Sequence, residues 1–358
     1  MKRTHQSDVV VLGAGPAGLV AALEFSKNFP TTLIAHQLPS AEDATRVEAV
    51  PASLLALLVE FGIHPQQIGV EGLHESRRIA WEQEAMVESR GPVAAHVERP
   101  VLDLALLKLV VASGRVNMVL SDHRDGFKAV LEAARRNDVC LIDATGRRSV
   151  SASKRVQPAR PWAARTFLAS RQSCGAGPEL RIAALSGGFV YRLGSSRHIV
   201  LGIVGRNKTI VGDPVSLERQ LLEGGAGWIL EGLPAMADLI PGKFSVASVQ
   251  WTSDGAGWRV GDAALARDTL SSQGLAAGIS DALYHAAAVR SDDAATFLSL
   301  RQVEQRAAHL RSLEQLIARC RFREEGTWSE YAEFLADQVD PKPAESRVAL
   351  RAGRLTLG

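Results

Sequence analysis

The chain has 358 residues, 46% apolar and 22% charged, with a net charge of +2. These values suit an enzyme of two domains, or one domain with a large insertion, and give no field that would draw nucleic acid or membrane. No apolar run reaches the roughly 18 residues of a membrane helix, and the polar start MKRTHQSD lacks a signal peptide's apolar core. A cytoplasmic location is expected. The cysteines Cys140, Cys174 and Cys320 are far apart, and the histidines form no H-x-x-H or H-E-x-x-H pattern. Neither a disulfide framework nor a metal site is expected.

The first element is an apolar strand, Val9 to Leu12, which runs into Gly13, Gly15 and Gly18 in G-x-G-x-x-G spacing. Gly13 permits the tight turn, Gly15 lets backbone approach a pyrophosphate, and Gly18 lets the next helix lie close on the sheet. Ala22 extends that small-residue face. The helix start then offers bare N–H groups and a positive dipole end to an anion. A glycine turn without ligand is the plainer alternative. A second strand follows at Thr31 to His36. The acid expected at its end for ribose hydroxyls is missing; Ala35, His36 and Gln37 stand there, with no acid before Glu42. His36 or Gln37 either bonds a ribose or faces solvent.

Thr45 to Ile63 places Arg46 and Glu48 ahead of Pro51 and an apolar helix. Arg46 is a candidate for FAD phosphates or ribose, or forms a solvated pair with Glu48. His96 to Val111 carries Arg99 at the head of an amphipathic helix. Asp138 to Ser149 is a strand ending in Asp143-Ala-Thr-Gly146. RTFLAS and LRIAAL read as strands, and Gly187 to Gly194 with Arg197 to Arg206 as a hairpin turning at Ser195 and Ser196. Trp258 to Leu283 holds a strand, Gly261-Asp262, a loop, and a helix from Gly274. A helix is expected from Ala294 to Arg323. The basic tail beyond Asp340 is either a flexible end or a docking segment.

Together these segments, over residues 8 to about 290, resemble the FAD-dependent monooxygenases of the para-hydroxybenzoate hydroxylase type and the related flavin-dependent halogenases. The resemblance implies an α/β fold. A Rossmann-like FAD-binding domain (1–63, 96–155, 245–295) would carry an inserted, mostly antiparallel substrate domain (64–95, 156–244). A helical C-terminal region (296–358) would complete it. Candidate cofactor-binding residues are Gly13, Gly15, Ala17, Gly18, His36, Arg46, Arg99, Asp262 and Gly274. Asp262 would accept from a ribityl hydroxyl, or simply form a turn. The helix from Gly274 would aim its positive end at the flavin. The family loop carries proline where this chain has Thr269.

The resemblance also implies the chemistry. NAD(P)H would reduce FAD, O2 would form a flavin C4a-hydroperoxide, and an electron-rich aromatic ring would take its distal oxygen. The halogenases place a lysine between flavin and substrate, in the first strand of the substrate domain. Here that region reads GLHESRRIAWEQ, and no lysine occurs in residues 28–107. Arginine lacks the compact amine, so hydroxylation is expected over halogenation. RVEAVPASLLALLVEFGI, AAHVERPVLDLALL and IDATGRRS further resemble the flavoproteins that mature tryptophylquinone enzymes. Those hydroxylate a tryptophan within a partner polypeptide. A small aromatic substrate is the second expectation, a non-catalytic flavin-binding protein the third. No single catalytic residue is singled out.

Overall fold

The computed structural model describes residues 8–43, 45–121, 124–136, 139–174, 179–206, 212–252, 258–289 and 293–339. The basic tail lies outside the described residues. β1 (Val9–Leu12) is buried at every position, as expected of a parallel strand covered on both faces. It pairs in parallel with β2 (Thr31–Ala35) on one side and β7 (Cys140–Asp143) on the other. β6 (Val116–Leu120) adds beyond β2, giving the order β6-β2-β1-β7. Trp258–Val260 extends the far side of β7. The Asp143 N–H donates to Trp258 O at 2.8 Å, and the Val260 N–H to Asp143 O at 3.0 Å.

α1 (Pro16–Phe25) crosses this sheet. Pro16 sits in its first turn, where a missing N–H costs nothing. α3 (Arg99–Ser113) and α7 (Gly274–Ala288) pack against α1 and close the Rossmann-like core.

The second sheet has eight strands in the order β13-β9-β12-β11-β10-β4-β5-β3. They are β3 (Val47–Pro51), β4 (His74–Ala80), β5 (Val87–Glu98), β9 (Ala163–Ser170), β10 (Leu180–Leu185), β11 (Gly188–Gly194), β12 (His198–Gly205) and β13 (Ile240–Val246). Every pairing is antiparallel except β10 with β4. The expected hairpin is present, with Gly194 opposite Ile199 and the Ser195 N–H closing the turn on His198 O at 2.7 Å. A short ribbon joins β8 (Arg155–Val156) to β14 (Gln250–Thr252). The fold is thus the expected one: a parallel Rossmann-like layer, a mostly antiparallel sheet and helices at the C-terminal end.

The two faces of the large sheet are covered differently. One meets α5 (Pro214–Glu223) through Leu217, Leu221, Phe167, Val190, Leu201 and Ile203. Toward the other lie α8 (Ala294–Ala318) and α9 (Gly326–Val339). Four of the six tryptophans, Trp81, Trp162, Trp251 and Trp328, lie in that contact. Trp328 meets Trp162 edge-on at 4.7 Å between ring centroids and Trp81 at 5.4 Å. Its ring N–H donates to Leu185 O at 2.7 Å.

The helix expected over 294–323 ends early, at Ala318. Trp81 supplies part of the reason. Its ring N–H takes the carbonyl of Leu316 at 2.8 Å, and its own carbonyl accepts from Arg321 N at 2.9 Å. A distant tryptophan thus takes one carbonyl of the last turn, Cys320 N and Arg323 Nη1 take those of Ile317 and Ala318 at 2.9 and 3.0 Å, and the chain bends into α9.

Trp328→Ala should leave a large cavity and lose a buried hydrogen bond, costing about 3–5 kcal/mol. Thermal unfolding should show a melting temperature lower by roughly 5–10 °C. A shift under 2 °C would mean that α9 does not stabilise the sheet.

Candidate functional site

The glycine loop divides its labour. Gly13 has φ +103°, and a Cβ there would lie 2.5 Å from the backbone oxygen of Ala144. A Cβ on Gly18 would lie 1.9 Å from Gly13 O. Both therefore serve close packing between the loop, α1 and the D-A-T-G turn. Gly15 is different: it is the N-cap of α1, and a Cβ there would meet nothing within 4 Å. Open space faces it, beside the unpaired N–H groups of the helix's first turn. Ala17 packs at the crossing of α1 with Gly261 and Gly278, its Cβ 3.1 Å and 3.5 Å from where theirs would be.

His36 is exposed just past β2. Gln37 points its amide to Asp43, donating to Oδ1 at 3.0 Å, and Asp43 Oδ2 accepts from Ser40 N at 3.0 Å. An acid thus stands at the end of β2 after all, delivered by a loop that folds back. Sequence spacing hid it, because Asp43 lies eight residues beyond Ala35.

Arg46 is exposed, and its carbonyl accepts from Arg99 N at 2.8 Å. Glu48 pairs with Arg99, not with Arg46. Arg99 Nη1 donates to Glu48 Oε1 at 2.6 Å, while Nε and Nη2 donate to the two oxygens of Asp103 at 3.0 and 3.1 Å. The Arg99 side chain is only 13% exposed. Burial alone would lower its basicity, but the two carboxylates outweigh that and hold it firmly charged. Burial raises Asp103 above the ordinary aspartate range despite Arg99.

Asp262 begins the short helix α6 (Asp262–Leu265), behind Gly261 at φ +59°. A Cβ on Gly274 would be 3.8 Å from Asp262 Oδ1, so these two predicted positions converge. The Asp262 side chain is 41% exposed. Desolvation raises its pKa; Arg147, with Nε 3.9 Å away, and Arg99 act against this, and Glu48 adds to it. Arg147 also holds the segments on either side of G-D, donating to Ser248 O at 2.7 Å and Arg267 O at 2.9 Å. α7 starts at Gly274 without a side-chain cap, so its first-turn N–H groups stay available.

The loop before α7 is held from below. Thr269 N donates to Ala247 O at 3.0 Å, a bond that proline could not make. Asp268 caps the 3-10 turn Thr269–Ser271 through Leu270 N at 2.8 Å. Its other oxygen accepts from the Tyr331 hydroxyl of α9 at 2.5 Å. Full burial lifts Asp268 to about 6, although the Tyr331 hydrogen bond opposes this. On the large sheet, the Tyr191 ring lies over Gly202, where a Cβ would be 2.2 Å from it. Burial pushes its hydroxyl up to about 12, and the nearby Glu48 charge adds to this. Asp43, Asp268, Tyr331 and Tyr191 carry no local motif, and Arg147, directly after D-A-T-G, was not singled out as a site residue. Among the described residues no group of three His, Cys, Asp or Glu could hold a metal ion. No described helix is long and apolar enough to cross a membrane.

No protein-family model and no curated protein matches the sequence. Solved structures share the fold. The peptidyl tryptophan dihydroxylase QhpG, essential for tryptophylquinone cofactor biogenesis, superposes with a TM-score of 0.69 at 17% identity, over 91% of this chain and 78% of its own. The flavin-dependent halogenase CmlS gives 0.65 at 17%, over 98% and 70%. PqsL of Pseudomonas aeruginosa, described as a probable FAD-dependent monooxygenase, gives 0.64 at 14%, over 91% and 99%. The expected resemblance to monooxygenases and halogenases is met at the level of fold.

Arg99→Ala should leave two partly buried carboxylates without their cation. The loss should be about 2–3 kcal/mol at pH 7, below the roughly 3–5 of a fully buried pair because Glu48 is partly exposed. In the variant Asp103, already raised by burial, loses the guanidinium that opposed this shift, so its folded pKa lies further above its unfolded one. The folded state then binds more protons, so stability should recover as pH falls from 7 toward 4. Urea melts at the two pH values read this; a deficit that grows on acidification would contradict the assignment.

Proposed function

We propose that this chain is an FAD-dependent monooxygenase that hydroxylates an aromatic ring, a tryptophan side chain in a partner polypeptide. One observation carries the cofactor assignment. Open space at Gly15 lies at a bare helix N-terminus, on a fold shared with flavoenzymes. A cradle of this kind suits a pyrophosphate. Bound there, FAD would supply the oxygen-activating chemistry, with NAD(P)H as transient reductant and O2 as oxidant.

The chain's own residues would bind and orient. Gly13, Gly15 and Gly18 would admit the phosphates, and Ala17 would keep α1 tight against Gly261. His36, Gln37 and Asp43 would face the ribose, with Arg46 beside them. Asp262 would accept from the ribityl chain, Arg99 would fix Glu48 and Asp103, and the N-terminus of α7 at Gly274 would favour negative charge on the ring system. Tyr191, on the large sheet near Glu48, is placed to line the aromatic site and help keep water out. Segments 1–63, 96–155 and 245–295 would then form the cofactor domain, 64–95 and 156–244 the substrate domain. A nicotinamide-dependent reaction of this kind suits a cytoplasmic location.

The polypeptide substrate is supported by the likeness to QhpG and by the segment resemblance described above. A small aromatic substrate is the second reading. Halogenation is disfavoured by β4, the strand that would carry the lysine. It holds Arg77, which donates to Ser89 Oγ at 3.1 Å, and Arg78, which is paired with Glu88, Glu179 and Glu231.

Gly15→Val should fold with an unchanged melting temperature in the absence of FAD, because its side chain enters open space. It should nevertheless fail to retain FAD when the wild type purifies yellow. FMN in place of FAD in the wild type, or no flavin after reconstitution, would remove the cofactor assignment.

Co-expression with a candidate partner, followed by mass spectrometry, should show one or two oxygens gained on a partner tryptophan. Chloride or bromide should yield no halogenated product. Free tryptophan should be a poor substrate, since it lacks the remote contacts that would hold the ring in place. Efficient hydroxylation of a small aromatic, with no mass change in any partner, would install the second reading.

A further inference from the structure

The loop that delivers Gly274 to the cofactor site is anchored by the C-terminal helix. Asp268 is 3% exposed and, among the described residues, has no cation within hydrogen-bond range. Both its oxygens are taken, one by Leu270 N at 2.8 Å within the loop and one by the Tyr331 hydroxyl at 2.5 Å from α9. Tyr331 also accepts from Val249 N at 3.2 Å, which joins it to the segment leading into β14. The Asp268 N–H donates to His309 Nε2 of α8 at 3.4 Å. His309 must therefore be unprotonated at Nε2, in keeping with the low pKa of about 4 that burial, helped by Arg267, gives it.

Five residues beyond Asp268 the chain reaches Gln273, the uncapped start of α7. In between, Ser272 is held at φ +50°, in the left-handed region unusual for serine. A loop with a strained residue needs external restraints to keep one conformation. Ala247 O and Arg147 supply two such restraints, and α8 and α9, elements that follow the glycine loop by some 300 residues, supply those on Asp268.

We infer that the Tyr331–Asp268 hydrogen bond is a positioning latch: it fixes the 268–273 loop and the N-terminus of α7 in the geometry that accepts the cofactor, so that cofactor binding and the docking of α9 are thermodynamically linked. The inference rests on the assignment of FAD to this site. Tyr331 and Asp268 act through the loop and are positioning residues, not catalytic ones. The linkage is reciprocal by necessity: whatever α9 docking adds to FAD affinity, FAD adds to α9 docking.

Hydrogen exchange and a binding titration test it without any turnover. In the wild type, saturating FAD should slow amide exchange across residues 266–273 and also across 326–339 in α9. Tyr331→Phe keeps the ring but removes the hydroxyl, leaving an Asp268 oxygen and the Val249 N–H without that partner. It should bind FAD about tenfold more weakly by flavin fluorescence, and FAD should no longer protect α9. Wild type that binds FAD with no change in α9 exchange would overturn the latch. So would an FAD affinity in Tyr331→Phe equal to the wild type's. If wild type binds no FAD, the cofactor assignment fails first and the latch with it. The exchange result on wild type stands even should Tyr331→Phe fold poorly.

Discussion

Asp143 is the junction on which the site depends. Its side chain is 1% exposed and accepts four hydrogen bonds: Thr145 N and Oγ1 at 2.9 and 2.6 Å, Ser151 N and Oγ at 2.9 and 2.7 Å. A carboxylate can be buried when its lone pairs are filled in this way. Its backbone faces both ways. It stands opposite Leu12 in the register of β1 and β7, and it exchanges bonds with Trp258 and Val260 on the other side. The residue therefore sets the glycine loop, the D-A-T-G turn and the G-D segment in one register. Ala144 O then lies where Gly13 tolerates no Cβ, which ties the loop's sequence to the turn's position. Arg259 continues the network, donating to Ser151 Oγ at 2.9 Å and Ser151 O at 3.0 Å. A site assembled from segments 130 residues apart in sequence needs such a fixed point.

The parts of the structure legible in the sequence are those whose cause is local. The four-residue apolar run of β1, the turn-forming glycines and Pro16 act within a few residues, and the element they specify is present. The β11–β12 hairpin is equally local, since Ser195 closes on His198. The helix break at Ala318 is only partly local: Arg323 and Cys320 take the carbonyls of Ala318 and Ile317, but the carbonyl of Leu316 goes to Trp81, more than 200 residues earlier, which local pattern does not reveal. Asp43 is hidden for a related reason. Strand-end spacing counts residues along the chain, and Gln37 reaches Asp43 across a loop. Arg99 was legible as the head of a helix, but its two carboxylates were not. One lies a turn further on at Asp103, the other on β3 at Glu48.

The C-terminal helices show how stability and site geometry share residues. Trp328 and Tyr331 lie three apart on α9 and so project on similar sides of the helix. Trp328 fills the tryptophan cluster against the large sheet, whereas Tyr331 reaches Asp268 under the loop before α7. Tyr331 also packs on Trp162, with ring centroids 5.0 Å apart. The apolar cluster gives the hydroxyl a fixed place from which to donate. A polar contact on a mobile helix would restrain nothing; one on a helix locked by aromatic packing can restrain a strained loop.

The charges around Asp262 point to how an anion would be held there. Glu48, Asp103 and Asp262 bring three carboxylates, and Arg99 and Arg147 two guanidinium groups, with Arg99 already engaged by two of the acids. Arg147 is engaged too, on Ser248 O and Arg267 O. The buried side chains of this cluster therefore offer a pyrophosphate little positive charge that is free, and further anionic charge would raise Asp262 more. The attractive groups left are the exposed Arg46 and backbone ones: the first-turn N–H groups of α1 beside Gly15 and those of α7 at Gly274, each at the positive end of a helix dipole. The backbone donors need no side chain, only a close approach. In the proposed site the open face of Gly15 would therefore matter more than the engaged cations Arg99 and Arg147, and the backbone register fixed at Asp143 would come before both.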